Sequence, residues 1–332
     1  MKNYIYSSVL KDEFQSFLAV RHSQGFKDKN RYVWESLDRY LSASGQDEKC
    51  VSALTVENWL SETCSGLSNG SAELYITSYN AFARYLATVG INAYIQDYAL
   101  DMRGRRYTPY IFSSDEMKEI FAIADSGAVT RGRLSKIQMP MLLRLLYGCG
   151  LRLGEALGMR LGDVDLESGT LFIQNGKGSK DRIVPMDHTL SEILADYCAA
   201  LFVGREDNPF LFESDYKDGR RNCAGHARSG GWVIANFRSI LKKAGITLEN
   251  RSKYERGICP HCLRHTFVVH SFRRQSMLGI DNYRALPLIS VYLGHNSLTE
   301  TQSYVHLTAE NSEDIIRLTS EYYKGIFPEV PR

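Results

Sequence analysis

The chain has 332 residues, 44% hydrophobic and 23% charged, close to the globular average, which excludes disordered, collagen-like and coiled-coil readings. Lys plus Arg is 40 against 38 Asp plus Glu, a formal charge of +2, so net charge alone does not announce a polyanionic partner. No uncharged apolar run of about 18 residues is present to span a bilayer, and Lys11-Asp12-Glu13 comes too soon for a secretory signal; the seven scattered cysteines fit free thiols in a reducing, cytoplasmic compartment.

At roughly 150 residues per domain the length suggests two domains. In the first hundred residues, apolar positions within Leu10 to Val20, Tyr32 to Leu41, Val56 to Leu60 and Leu74 to Leu86 recur at steps of three and four, which predicts helices and no strands. Gly90 closes the last of them. A basic segment follows, Met102-Arg103-Gly104-Arg105-Arg106, with Pro109 behind it, and this marks the boundary between a helical domain 1–105 and a second domain 106–332.

The second domain opens with Ser113-Ser114-Asp115-Glu116, whose spacing is that of a capping box and predicts a helix start. Another helix is expected from Met139 to Tyr147. The run from Gly169 to Asn175, a Gly-Lys-Gly-Ser turn, and Arg182-Ile183-Val184-Pro185 read as a β-hairpin. Helices are expected again at 188–203, 232–244, 262–275, 285–293, 299–306 and 310–326, interrupted by a Gly- and Arg-rich loop at 214–231. The fold class is therefore mainly α with a small β-hairpin, α+β. Between Lys217 and Arg264 eleven basic residues face three acidic ones, a surplus of eight, which makes that stretch the electrostatic candidate for contact with double-stranded DNA.

Four short patterns fall in order through this domain: Gly150-Leu151-Arg152-Leu153-Gly154-Glu155; Gly176-Lys177-Gly178-Ser179-Lys180-Asp181-Arg182; His261-Cys262-Leu263-Arg264-His265; and Leu293-Gly294-His295 with Tyr304 nine residues later. Each alone is an ordinary feature, a surface arginine, a turn or a structural histidine. Their order, with the hairpin between the first and the third, is far more specific. In these patterns the chain resembles the tyrosine recombinase (phage integrase) family. The resemblance covers the second domain closely and the first more loosely, and it implies a helical core-binding domain and a mixed catalytic domain forming a C-shaped clamp on DNA. It assigns catalytic roles to Arg152, Lys177, His261, Arg264, His295 and Tyr304, with Glu155 in support. It also implies a homotetramer on two DNA sites. Two departures stand out: Glu300-Thr301 where the family often has Thr-Thr, and the basic loop before His261.

The residue types suit that chemistry. Displacing a 5′-oxygen from a phosphodiester builds charge on two non-bridging oxygens, and the paired planar donors of Arg152 and Arg264 answer it. Lys177, or Lys180 behind it, can protonate the leaving alkoxide. Tyr304 is a weak acid, with an ordinary phenol value near 10, so it needs cations and a base; His261 is the candidate base and His295 a donor to the phosphate. Attack leaves a covalent phosphotyrosyl ester, so neither ATP nor a metal is required, and no cofactor is expected. The self-contained layout points to the recombinase of a mobile element. A type IB-like topoisomerase and a DNA-binding relative that no longer cuts are the alternatives.

Two features compete with or extend this reading. Cys223-x-x-His226 and Cys259-x-x-Cys262 have the ligand types and pair spacing of a structural zinc site, although Cys262 adjoins a face committed to phosphate, and no metal is assigned. After the nucleophile, Ile315, Leu318, Tyr322 and Ile326 form one apolar stripe, expected to pack either on its own domain or on a neighbouring protomer.

Overall fold

Apolar residues at helical spacing build four helices at the start of the chain, α1 (Lys11–Ser23), α2 (Arg31–Ala43), α3 (Ala53–Cys64) and α4 (Asn69–Thr88). In α2, Val33, Trp34, Leu37 and Leu41 share one buried face, and in α4, Tyr79, Phe82, Ala83 and Leu86 do the same. Ser52 and Ser68 start α3 and α4 by accepting hydrogen bonds from the backbone N–H of Thr55 and Ser71. Aromatic contacts fill the centre, with Phe14 stacked on Phe82 at 4.1 Å between centroids. The fully buried Asp38 ties down the preceding segment by accepting from the backbone N–H groups of Ser7 and Ser8 and from the Tyr4 hydroxyl.

The computed structural model describes residues 4–26, 29–97, 108–174, 181–214, 217–218, 221–222, 225–247 and 257–309. The chain divides into two compact units, Met1–Arg106 and Tyr107–Arg332, and each has its own core. Among the described residues no helix is long and apolar enough to cross a membrane.

The second unit begins with α5 (Ser114–Asp125), whose start is the expected capping box: Ser113 accepts from Glu116 N–H while Glu116 accepts from Ser113 N–H. Next comes α6 (Arg133–Gly148). The sequence places this helix only from Met139; the structure starts it at Arg133 and carries it through Pro140, whose flanks Gln138, Met139, Met141 and Leu142 are all buried. Tertiary packing against α5 and later helices here outweighs the lost backbone hydrogen bond. After the short α7 (Leu153–Gly158), three strands form an antiparallel sheet in the order β1 (Val164–Asp165), β2 (Thr170–Ile173), β3 (Arg182–Pro185). The register sets Phe172 opposite Ile183 and Ile173 opposite Arg182, with Leu171, Ile173 and Val184 turned inward.

The rest is helical, as expected: α8 (His188–Phe202), α9 (Gly230–Lys243), α10 (His261–Met277), α11 (Asn282–Leu293) and α12 (Leu298–Ala309). A two-stranded ribbon, β4 (Lys217–Asp218) with β5 (Arg221–Asn222), lies within the basic loop. It is too short to leave a period in the sequence. The chain is thus mainly helical with a small antiparallel sheet. The turn segment with Lys177 and Lys180, and the apolar stripe after residue 309, lie outside the described residues.

Candidate active site

Gly150 ends the turn after α6 with φ +58°, and a Cβ there would come within 2.5 Å of the Phe267 ring, so both backbone and packing demand glycine. That turn presents the Gly150 carbonyl to Arg264 of α10, whose Nη1 donates to it at 2.6 Å. Arg152 stands immediately before α7 and Glu155 lies three residues further on. The Arg152 backbone N–H donates to Glu155 Oε2 at 2.9 Å and its Nη1 to Oε1 at 2.9 Å. Arg182, from β3, donates through Nη1 and Nη2 to the same two oxygens, and Arg264 Nη1 lies 3.9 Å from Oε2. Burial by itself raises the Glu155 carboxyl, but the Arg182 side chain, the Arg152 backbone and the Arg182 charge outweigh it and hold the group at about 2.

Arg264 is 1% exposed and joins three of the four sequence patterns. Besides Gly150 it donates through Nη2 to the Leu293 carbonyl at 2.9 Å and to His295 Nε2 at 3.1 Å. Burial, and then the Arg152 charge, lower it to about 10, which leaves it charged at neutral pH. A guanidinium can only donate, so His295 Nε2 accepts and its Nδ1 carries the hydrogen that meets Thr301 Oγ1 at 2.6 Å. His295 follows Gly294, which caps α11 in the left-handed region. A Cβ at Gly294 would meet the Arg182 side chain at 3.0 Å, so that Leu-Gly-His spacing is also set by the Arg182 that braces Glu155.

Tyr304 lies on α12 in a small apolar group with Val268, Phe272 and Leu293 and is 7% exposed. Burial raises its phenol above the ordinary value, the Arg264 and Arg152 charges lower it, and Glu300 raises it. Its hydroxyl meets His265 Nδ1 at 2.6 Å. An open pocket of about 410 Å³ is lined by Arg152, His261, Arg264, His295, Glu300 and Tyr304. Five of the six expected catalytic residues therefore converge, and the sixth, Lys177, lies outside the described residues. Such a pocket, with two guanidiniums and two imidazoles around a phenol, suits a phosphodiester facing an oxygen nucleophile.

Three residues of this centre are not singled out by the sequence. Arg182 reads as an ordinary strand residue, His265 as the unassigned end of its box, and Thr301 only as the neighbour of the departing Glu300; each partner lies far along the chain or outside the residue's own element. Of the cysteine and histidine set, Cys223 lies outside the described residues, and Cys259 N–H donates to Cys262 Sγ at 3.5 Å. Among the described residues no group of three or more His, Cys, Asp or Glu is gathered to hold a metal.

Residues 111–311 match the model of the phage integrase family. The tyrosine recombinase XerA of Pyrococcus horikoshii is 26% identical, over 86% of this chain and 93% of that protein. The integrase/recombinase y4rB of Sinorhizobium fredii is 30% identical, over 71% of this chain and 74% of that protein. Among solved structures, XerH site-specific recombinase bound to palindromic difH substrate, a post-cleavage complex, superposes with a TM-score of 0.63 at 20% identity, over 88% of this chain and 78% of that one. A lambda integrase dimer bound to a COC′ core site gives 0.59 at 16% identity, over 89% and 76%. With a family match across most of its second unit and relatives along most of its length, the chain belongs to the phage integrase family and is a tyrosine-type site-specific recombinase that breaks and rejoins DNA strands.

Proposed function

We propose that Tyr304 is the nucleophile of this recombinase and that Arg152, Lys177, His261, Arg264 and His295 serve its reaction on double-stranded DNA. The observation that carries the assignment is the convergence of Arg152, His261, Arg264 and His295 on one pocket with the Tyr304 ring. In the forward step the Tyr304 oxygen bonds to phosphorus, the bond to the 5′-oxygen breaks, and the 3′-phosphate stays on the enzyme as a tyrosyl ester. Religation runs the same step backwards, with a 5′-hydroxyl as attacker, so the bond is conserved without an external energy source.

Charge that accumulates on the non-bridging oxygens meets Arg152 and Arg264, which Glu155, Gly150 and Leu293 already orient. Preorganised donors of this kind typically contribute about a hundred- to thousand-fold each. His295 lines the same pocket beside Arg264 and offers its imidazole to the phosphate. His261 opens onto the same pocket as a proton-handling group. Lys177, between β2 and β3 in the chain, delivers the proton to the leaving 5′-oxygen.

The first unit is read as the core-binding half, residues 1–105, and 106–332 as the catalytic half, with protomers pairing as a tetramer on two DNA sites of a mobile element. The XerH and lambda integrase structures, each with DNA in place, support duplex DNA as the partner. The test is a suicide substrate carrying a nick beside the scissile phosphate, followed by denaturing electrophoresis. Wild type forms a covalent adduct and Tyr304→Phe forms none while still binding DNA; an adduct persisting in the Phe variant overturns the assignment. Turnover of supercoiled plasmid lacking any recombination site would instead favour the topoisomerase reading.

A further inference from the structure

We infer that His265 is the catalytic base of the tyrosine, taking the Tyr304 phenolic proton during strand cleavage and returning it during religation. The inference rests on Tyr304 as nucleophile and reassigns the base role from His261. On α10, His261, Arg264 and His265 are spaced at i, i+3 and i+4 and so share one face. Arg264 and His261 open onto the pocket; His265 Nδ1 instead meets the reacting hydroxyl itself at 2.6 Å. The His265 and Tyr304 rings are 5.5 Å apart and tilted by 36°, and the His261 ring stands edge-on to His265 at 4.5 Å.

The hydroxyl enters the reaction as a protonated phenol, since burial raises it, and it donates to the unprotonated Nδ1 of a neutral imidazole. As the Tyr304 oxygen bonds to phosphorus its proton passes to Nδ1, and the bond to the 5′-oxygen breaks with a proton from the leaving-group side. One proton is gained at His265 and one is supplied to the departing oxygen, so the step balances without a further reactant. In religation the imidazolium returns its proton to the tyrosyl oxygen. His265 meets the hydroxyl without lining the pocket that Arg152, Arg264 and His295 share, so the base and the phosphate-binding groups are separate. The titratable and charged groups around the pair are His261 and Arg264 on α10, Tyr304 and Glu300 on α12, Arg152 ahead of α7, and His295 between α11 and α12.

The experiment measures single-turnover adduct formation on the nicked suicide substrate from pH 6 to pH 9 for wild type, His265→Ala and His265→Asn, with DNA binding checked in parallel. Loss of a general base typically costs about a hundred- to ten-thousand-fold. His265→Ala is expected to lose at least about a hundredfold near neutral pH, with the deficit narrowing as pH rises and phenolate forms unaided. His265→Asn keeps a polar group near the Nδ1 position without its basicity and is expected to follow the Ala variant, which covers the case where Ala fails to fold. A deficit that is constant across pH indicates a structural role and overturns the inference. So does an Asn variant as fast as wild type, or an Ala variant within about threefold of it at every pH. If wild type itself forms no adduct while binding its DNA, it is the Tyr304 assignment that fails.

Discussion

Arg182 lays its two terminal nitrogens on the two carboxylate oxygens of Glu155, at 3.0 and 2.9 Å. Its Nε meanwhile donates to the Tyr292 carbonyl at 3.1 Å. A strand of the small sheet thereby braces the acid that orients Arg152, and the sheet becomes part of the active-site scaffold. Glu155 stands among three guanidiniums, and its charge offsets their mutual repulsion.

Glu155→Gln is therefore expected to lower both stability and cleavage. The folded carboxyl sits at about 2, below the ordinary value of about 4.3. A depressed carboxyl contributes stability that is present above the unfolded value and is lost as pH falls through the folded one. Removing one partner from such a buried network costs roughly 3 kcal/mol. Denaturant unfolding of wild type and Glu155→Gln should differ by about that amount at pH 7, and the gap should close between pH 4 and pH 2. A gap of equal size at both ends of that window would assign the loss to packing instead of charge.

Much of this arrangement is legible in the sequence, and the reason is periodicity. The helices of both units, the hairpin at 170–173 and 182–185 and the capping box at Ser113 all follow from local rules. Arg182 escapes because a strand arginine gives no sign of a partner 27 residues back in the chain. His265 escapes for the same reason, its partner lying 39 residues ahead. The strands β1, β4 and β5 have two residues each, too few to carry an alternation, and Pro140 obscures the opening turns of α6 ahead of Met139.

In the Glu300-Thr301 pair only Glu300 departs from Thr-Thr, and the retained Thr301 has a clear task. It is fully buried and its hydroxyl receives the His295 Nδ1 hydrogen, which turns Nε2 toward Arg264 and the pocket. Thr301→Ala should lower cleavage by about ten- to a hundredfold, the range for loss of a residue that orients an imidazole, whereas Thr301→Ser should restore most of the rate because it keeps the hydroxyl. A Ser variant as impaired as the Ala variant would mean that the methyl group and its packing matter and the hydrogen bond does not.

Lys177→Ala tests the leaving-group side separately from the nucleophile. A normal 5′-oxygen departs poorly without a proton, while a 5′-bridging sulfur leaves readily as thiolate. The Ala variant is expected to lose about a hundredfold or more on the oxygen substrate and far less on the sulfur one. His265→Ala, which acts on the attacking oxygen, should gain no such rescue. Equal defects of Lys177→Ala on both substrates would transfer the acid role to another group, with Lys180 next to be tested.

Glu300 supplies the last test, because it places a carboxylate in a pocket otherwise lined by two arginines, two histidines and the nucleophile. Its charge raises the Tyr304 phenol, opposing the Arg264 and Arg152 charges that lower it, and it also repels an incoming phosphate. Glu300→Gln removes the charge at nearly constant shape, so the phenolate becomes easier to form and the anion easier to admit. Adduct formation should rise by about two- to tenfold at pH 7, the scale of one neighbouring charge acting across a partly solvated site, with DNA binding tighter at low salt and the gain reduced at high salt. A variant that cleaves more than about tenfold slower would show that Glu300 holds a group the reaction needs, and that the negative charge in this pocket is there to position it.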